Sequence, residues 1–161
     1  MDRELFGAKV RACRTDLFRV SVSILRSRED AEDAVAEAVL RAWEKRDTLR
    51  EERYFETWLI RICINTSRGM LRDRMRHPTT ELTESIPAPE REDSGVWDAL
   101  TRIEEKYRLP LVMQAALGMR VKEIAQALRI TEGMARRRIA QAKKLARKEL
   151  ETEPEWEGTE L

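Results

Sequence analysis

The residues with the clearest chemical role are cationic and amide side chains on one side of a helix near the C-terminal end of the sequence. At about 100° per residue, Ala135, Ile139 and Ala142 fall within one narrow arc. The opposite arc holds Arg136, Arg137, Ala140, Gln141 and Lys144. One face can pack while the other donates hydrogen bonds outward. The pattern is therefore typical of a helix that enters a DNA groove.

A matching helix precedes it, with an apolar face made by Ile124, Ala125 and Leu128. The residues between them, 130–133, form the short connection of a helix-turn-helix. Residues 120–148 contain ten basic and two acidic side chains, whereas the whole chain has a net charge of +1. The alternative is a solvated amphipathic helix at a domain end, which the combination of a short preceding turn with charges opposite an apolar seam makes less favoured. The segment thus predicts a phosphate-binding surface.

The sequence lacks the residue groups that most enzymes need. Cys13 and Cys63 lie far apart in apolar helical contexts, and His77 is the only histidine. No glycine-rich phosphate loop and no carboxylate pair in an apolar setting accompanies them. We therefore predict no catalytic residue, metal site, cofactor or small-molecule substrate, and a protein that is not an enzyme.

Composition and periodicity predict an all-α fold. Good helix formers dominate the periodic segments, and no segment alternates as a strand would. No run approaches the roughly 18 apolar residues of a membrane span, and the N-terminus starts acidic and mixed. The sequence therefore predicts a cytoplasmic protein that does not insert into a membrane.

Residues 75–95 lose this periodicity and collect three prolines with Ser, Thr and Glu. Such a composition predicts a flexible linker. The prediction is then two small helical domains, residues 1–74 and 96–150, each with its own compact core. An acidic tail, residues 151–161, follows them.

The first domain ends in a helix of mixed character. A first helix is predicted near Arg3 to Leu25, and a second, acidic on its outer faces, is capped by Ser27. After a polar loop, the helix from about Glu56 to Arg74 is apolar in its first turns and arginine-rich along its length. Aromatic rings beside arginines suit single-stranded nucleic acid. From spacing alone, packing of Trp58 in the core explains that residue equally well.

Together these segments resemble the bacterial RNA polymerase sigma factors of the extracytoplasmic-function (ECF) group, in the sigma-70 family. The resemblance rests on residues 27–43, 54–65, 105–113 and 121–145, and covers nearly the whole chain. It implies a region 2-like helical bundle and a region 4-like helix-turn-helix joined by a linker. It also implies recruitment of polymerase to promoters, with no catalysis.

The resemblance implies three sets of contact residues. For the minus-ten DNA element these are Leu49, Tyr54, Trp58, Arg61, Ile62, Asn65, Arg68 and Arg72. For the minus-thirty-five element, Arg136, Arg137, Ala140 and Gln141 would face bases, and Arg138, Lys143 and Lys144 would face phosphates. For polymerase they are Asp30, Asp33, Glu37, Leu40 and Arg41. Within the first set, Leu49 would approach a flipped base whose pocket Ile62 and Asn65 form.

The implied partners are core RNA polymerase, through its beta-prime clamp and beta flap, promoter DNA and an anti-sigma factor. A different reading is a homodimeric helix-turn-helix regulator of duplex DNA, which needs a dimer or ligand surface that the N-terminal half does not suggest. A helical interaction adaptor would leave the two arcs of the last helix unexplained. Each of these readings makes the protein a binding protein.

Several residues depart from the family pattern. Arg129 stands where a glycine is usual, and a left-handed turn there costs on the order of 1 kcal/mol. Met134 cannot cap the last helix, so Thr131 or Glu132 must do so. Arg46 occupies a usually apolar position at the start of the minus-ten loop. We expect an unusual minus-thirty-five preference.

Overall fold

The computed structural model describes residues 1–77 and 94–152, and within these ranges all regular structure is helical. The all-α prediction is confirmed. Two short 3₁₀ turns, Arg46–Thr48 and Glu52–Tyr54, connect the second helix to the third. The helices are α1 (Arg3–Leu25), α2 (Arg28–Glu44), α3 (Phe55–Arg76), α4 (Ser94–Thr101), α5 (Glu105–Ala115), α6 (Val121–Leu128) and α7 (Glu132–Thr152).

Polar caps fix where the first helices begin. The Asp2 carboxylate accepts a hydrogen bond from the Leu5 N–H at 2.8 Å, and so begins α1. The Ser27 hydroxyl accepts from the Asp30 N–H at 3.2 Å at the start of α2, which confirms the predicted cap. Between them Arg26 takes the left-handed conformation, with φ 57°, and ends α1. The chain can therefore reverse within two residues.

Helices α1, α2 and α3 pack on one another as a three-helix bundle. Large aliphatic side chains of α1 and α3 fill its centre, among them Leu17, Ile24, Leu59 and Ile60, all at most 2% exposed. The buried face of α2 is built mainly from alanines, which are Ala31, Ala34, Ala38 and Ala42. Because alanine is small, α2 approaches the other two helices closely, as its regular seam indicated.

Helices α4 to α7 form the second unit, and its core joins that of the first. Leu109 and Met113 of α5 and Ile124 of α6 are fully buried, and α5 packs on α1 while α6 packs on α3. The described residues thus share one continuous apolar core. The sequence predicted a separate core for each domain. Units this small bury a modest share of their surface alone, so packing them together buries more.

Helical structure extends a few residues into the range predicted as the linker. Helix α3 continues through Met75 and Arg76, and α4 already begins at Ser94. His77 ends α3 because the next residue, Pro78, disfavours helical conformation in the residue before it. At the other end α7 extends to Thr152. The rest of the predicted linker, residues 78–93, and of the acidic tail, residues 153–161, lies outside the described residues.

Candidate nucleic-acid interfaces

The predicted two-faced character of α7 is present in the structure. Ala135, Ile139 and Ala142 are buried against the rest of the second unit. The outward residues Arg136, Arg137, Ala140, Gln141, Lys143 and Lys144 are exposed, and Arg138 is half-buried. Helix α7 therefore presents a basic surface, the α7 face, which we define by these seven outward residues. Glu132, one turn earlier, pairs with Arg136 at 3.5 Å.

The turn into α7 tolerates the unusual residues. Arg129 has φ 55° and ψ 45°, the left-handed conformation that glycine adopts most readily. The Ile130 N–H donates to the Ala125 carbonyl at 3.0 Å, which completes a Schellman-type end to α6. Thr131 then caps α7, because its hydroxyl accepts from the Met134 N–H at 3.1 Å. The helix-turn-helix geometry is thus kept despite Arg129 and Met134.

A cavity of about 290 Å³ lies between the loop after α2 and the first turns of α3. It brings together four of the eight residues predicted for the minus-ten element. These are Leu49, Tyr54, Trp58 and Arg61. The other lining residues are Thr48, Arg50, Glu51 and Thr57, with Gln126 from α6. We call it the minus-ten cavity after the residues predicted to contact that element, and it is open to solvent.

Aromatic packing positions the rings at this cavity. Phe55 is 4% exposed, and its ring centre lies 5.8 Å from that of Trp58, with the planes tilted by 49°. Trp58 is half-buried, so it serves both the core and the cavity wall. Tyr54 is 47% exposed, and the Arg53 guanidinium lies 4.8 Å from its ring centre. Packing accounts for part of the Trp58 ring, and its contact with nucleic acid stays a prediction.

The other four predicted minus-ten residues do not line this cavity. Ile62 is half-buried and packs against the core, while Asn65 and Arg72 are exposed on α3. The structure therefore does not gather Leu49, Ile62 and Asn65 around one base position. Arg68 instead forms an ion pair with Glu105 of α5, at 2.9 Å.

The unexpected Arg46 has a structural role at the start of the loop. Its guanidinium stacks 3.8 Å from the ring centre of Trp43 and donates to the Trp43 carbonyl at 2.7 Å. The two contacts hold the first 3₁₀ turn against the end of α2. Arg46 thus anchors the start of the loop through a cation, at a position where the sequence led us to expect an apolar side chain.

Arg61 is the most constrained cation at the cavity. Its Nη2 donates to the Gln126 carbonyl at 2.8 Å, and its Nε is buried with no hydrogen-bond partner in the described structure. Burial lowers the pKa of the Arg61 guanidinium, and nearby Arg129 lowers it further. The side chain nevertheless stays charged at physiological pH. The cavity therefore holds a poorly solvated positive charge, which favours an anionic or strongly accepting ligand.

The predicted polymerase surface on α2 is partly engaged within the chain. Asp30 forms an ion pair with Arg74, and Arg41 pairs with Glu37 at 3.1 Å. Arg41 also approaches the Thr66 hydroxyl of α3 at 3.4 Å, which ties the two helices together. Asp33 and Glu37 are exposed, and Leu40 is exposed by 60%. These three residues are therefore accessible to a partner, and their contact with polymerase stays a prediction.

The thiols and other metal-ligating side chains form no reactive centre in the described ranges. No three His, Cys, Asp or Glu residues there lie close enough together to hold a metal ion. Cys13 and Cys63 are buried and unpaired, and burial raises the pKa of each thiol to about 11. Neither thiol is therefore nucleophilic at neutral pH. No helix in residues 1–77 or 94–152 is long and apolar enough to cross a membrane.

Sequence reasoning missed the residues by which one half of the molecule contacts the other. Glu105 and Gln126 reach two of the predicted minus-ten arginines, and Arg108 is buried at only 4% exposure. Glu105 and Arg108 belong to a segment already noted as a motif, but its spacing identifies no partner 37 or 85 residues away. The sequence offered only a general signal for this contact, an arginine-rich helix (α3) and an acidic residue at the start of another helix (α5).

Comparison with known proteins agrees with this architecture. Two family models match the chain, Sigma-70 region 2 over residues 10–77 and Sigma-70, region 4 over residues 95–145. The ECF RNA polymerase sigma factor SigM of Mycobacterium tuberculosis is 30% identical over 152 residues, covering 91% of this chain and 78% of SigM. The RNA polymerase sigma factor NccH of Alcaligenes xylosoxydans xylosoxydans is 28% identical, covering 88% of this chain and 84% of NccH.

Solved structures share the fold over almost the whole chain. The sigma factor RpoE of Bartonella quintana, in complex with the anti-sigma factor NepR, matches with a TM-score of 0.77 at 18% identity, covering 92% of this chain and 98% of that one. CnrH, in complex with the cytosolic domain of CnrY, matches with a TM-score of 0.75 at 22% identity, covering 94% and 91%. At these identities the likeness concerns the fold.

Proposed function

We propose, because this chain belongs to the extracytoplasmic-function group of the sigma-70 family, that it binds core RNA polymerase and directs it to promoters read in two parts. The observation that carries the proposal is α7, with its alanine seam buried and its arginines exposed behind an intact helix-turn-helix. The protein acts by recruitment, and none of these contacts requires a catalytic step.

The α7 face is suited to duplex DNA at the minus-thirty-five element. A helix fits the major groove, where guanidinium groups can donate two bonds to guanine. We assign Arg136, Arg137, Ala140 and Gln141 to base edges. Arg138, Lys143 and Lys144 are assigned to phosphates.

The minus-ten cavity and the exposed arginines of α3 are suited to single-stranded DNA at the minus-ten element. Trp58 and Tyr54 offer rings on which a base can stack, and Arg61 and Arg72 offer charge to phosphates. Because a flipped base is accessible only in melted DNA, binding it shifts the population toward the melted state. We keep Leu49, Ile62, Asn65 and Arg68 in this set.

Polymerase binding is assigned to α2, with Asp33, Glu37 and Leu40 as the exposed contacts and Asp30 and Arg41 beside them. An apolar centre with a polar rim is a common form of protein interface. The partner surfaces are the beta-prime clamp for α2 and the beta flap for the helix-turn-helix unit. Working with polymerase, the protein acts in the cytoplasm.

Control by an anti-sigma factor is part of the proposal. The two structures that share the fold were solved in complexes, one with the anti-sigma factor NepR and the other with the cytosolic domain of CnrY. The match spans both units, so this chain has the same fold as the proteins that those two partners bind.

Gel filtration with core RNA polymerase, followed by run-off transcription, tests the proposal. We expect the chain to co-elute with core polymerase and to confer start sites that core polymerase alone does not use. A Leu40→Asp variant serves as the matched negative control. It changes one exposed side chain without touching the core, and it should weaken polymerase binding. Elution as a dimer with no polymerase binding would contradict the proposal and favour the homodimeric regulator.

A further inference from the structure

Arginine side chains make the polar contacts that close the molecule. Three of them cross between the units and donate to backbone carbonyls in the last turn of a helix. Carbonyls at a helix end are only partly satisfied within the helix and carry about half a negative charge together. The three bonds run from Arg19 Nη1 to the Ala116 carbonyl at 3.3 Å, from Arg61 Nη2 to Gln126 at 2.8 Å and from Arg108 Nε to Ser23 at 2.9 Å.

The fourth crossing contact differs because its acceptor carries a full charge. Arg68 of α3 donates from both Nε and Nη2 to one oxygen of Glu105, at 3.0 and 2.9 Å. Glu105 is the first residue of α5, where the positive end of the helix favours a carboxylate. Both side chains are about one third exposed, at 34% and 31%. The pair is formed, but water and ions still reach it.

A phosphate oxygen accepts the same two guanidinium donors in a protein–DNA contact. We propose that Glu105 is a stand-in for a DNA phosphate, which occupies Arg68 and holds the chain in a closed form that must open before α3 binds the minus-ten strand. The inference rests on the proposed function for the DNA part and on the observed contacts for the closed form. Arg61 is engaged more weakly, by a single bond from Nη2 to the Gln126 carbonyl of α6.

Distance gives a second reason why the closed form must open. Elements centred about 25 base pairs apart lie roughly 85 Å from one another at 3.4 Å per pair. A compact chain of this length has a radius of gyration of about 15 Å. From His77 to Ser94 the chain spans at most about 60 Å when extended. One molecule can therefore contact both elements only with its two units apart.

The polar contacts that occupy Arg68 and Arg61 in the closed form are ones that DNA can replace, whereas the apolar core that the two units share is given up on opening. Exposed ion pairs contribute little free energy, and helix-end carbonyls are weaker partners for arginine than phosphates are. Exchange of Glu105 for a phosphate keeps the Arg68 charge paired throughout. Opening on DNA and polymerase thus loses no ion pair overall.

Distance measurement between two spin labels on the full chain tests the closed form directly. Ala12→Cys in α1 and Lys122→Cys in α6 are exposed sites on the two units. Labelling is selective because both native thiols are buried with a pKa of about 11. Glu105→Gln removes the charge that Arg68 binds, and Glu104→Gln is the matched control at the exposed neighbouring position.

We expect Glu105→Gln to raise the population of long distances about two- to fivefold, in line with a partly exposed ion pair. Glu104→Gln should leave the distribution as in the parent chain. Equal distributions for Glu105→Gln and the parent, or equal effects of both variants, would overturn the proposal.

Charge exchange and DNA binding test the phosphate role. Arg68→Glu should open the chain, and Arg68→Glu with Glu105→Arg should close it again. Binding of a fluorescent single-stranded minus-ten oligonucleotide should rise about two- to fivefold in Glu105→Gln, because more molecules are competent, and stay weak in the exchanged pair. If Glu105→Gln opens the chain but DNA binding does not change, the proposal that Glu105 stands in for a phosphate is refuted. The distance experiment uses the free chain, so failure of polymerase binding would refute the proposed function alone.

Discussion

The two candidate DNA surfaces differ in how the rest of the chain treats them. The α7 face is exposed, and its nearest acidic neighbour, Glu132, belongs to the same helix. The basic side of α3 is covered in part by α5 and α6, which engage Arg68 and Arg61. If the proposed assignments hold, the surface for duplex DNA is open in the free protein, while the surface for melted DNA is partly covered by the chain itself.

The largest expected effect follows from breaking the open surface. Replacing both Arg136 and Arg137 by alanine removes two cations assigned to base edges, each worth about 1–3 kcal/mol of discrimination. We expect promoter-specific run-off transcription to fall about 100-fold or more, with binding to core polymerase unchanged.

The exposed Arg147 lies on the same helix outside the assigned set, so Arg147→Ala is the control for loss of charge. Equal loss of polymerase binding and transcription in the double variant would show that the α7 face serves polymerase and not DNA.

A smaller effect tests the turn that aims the α7 face. Arg129 has φ 55°, so glycine at this position should relieve strain and raise the free energy of unfolding by about 0.5–1 kcal/mol. Urea denaturation measures this free energy of unfolding. Arg120 lies in extended conformation, with φ −75°, and Arg120→Gly should lower stability instead. A loss of stability in Arg129→Gly as large as in Arg120→Gly would mean that the turn is not strained.

The smallest effect concerns α3, the helix partly covered by α5 and α6, and is a dependence of stability on pH. Burial raises the pKa of Glu56 of α3 above its ordinary value, and Asp16 of α1 and Glu123 of α6 raise it further. Arg19 partly offsets the charge of Asp16, at 3.8 Å. The folded chain therefore disfavours ionised Glu56. Its contribution to stability is full below the ordinary pKa and is lost as pH rises through the raised one.

Urea denaturation at pH values between 4 and 7 tests this. The free energy of unfolding should fall more steeply with rising pH in the parent chain than in Glu56→Gln. Solvent screens the partly exposed carboxyl, so the difference should stay below about 1 kcal/mol. Glu52→Gln, in the exposed loop, is the control. Identical slopes for the parent and Glu56→Gln would show that these carboxyls do not interact.

Local signals predicted the helices and the α7 face well. The Ser27 cap, the alanine seam of α2 and the opposed arcs of α7 each depend on residues a few positions apart, where helical geometry is fixed. The end of α3 was placed at Arg74 instead of Arg76, because the effect of Pro78 acts on the one residue before it.

Contacts between distant segments were the part that the sequence did not reveal. The pairing of Arg68 with Glu105 depends on how the two units pack, and nothing near either residue indicates the other. The same limit applies to Gln126 at the minus-ten cavity. Arg46 was a doubtful residue by pattern alone, and its stacking on Trp43 became evident only in three dimensions.

The most direct test of the difference between the two surfaces is the distance between labels at Ala12→Cys and Lys122→Cys, measured in the free chain and in a complex with core polymerase and promoter DNA. We predict a short distance in the free chain that is replaced by a long one in the complex. A complex that initiates transcription from the promoter while the short distance persists would contradict the account.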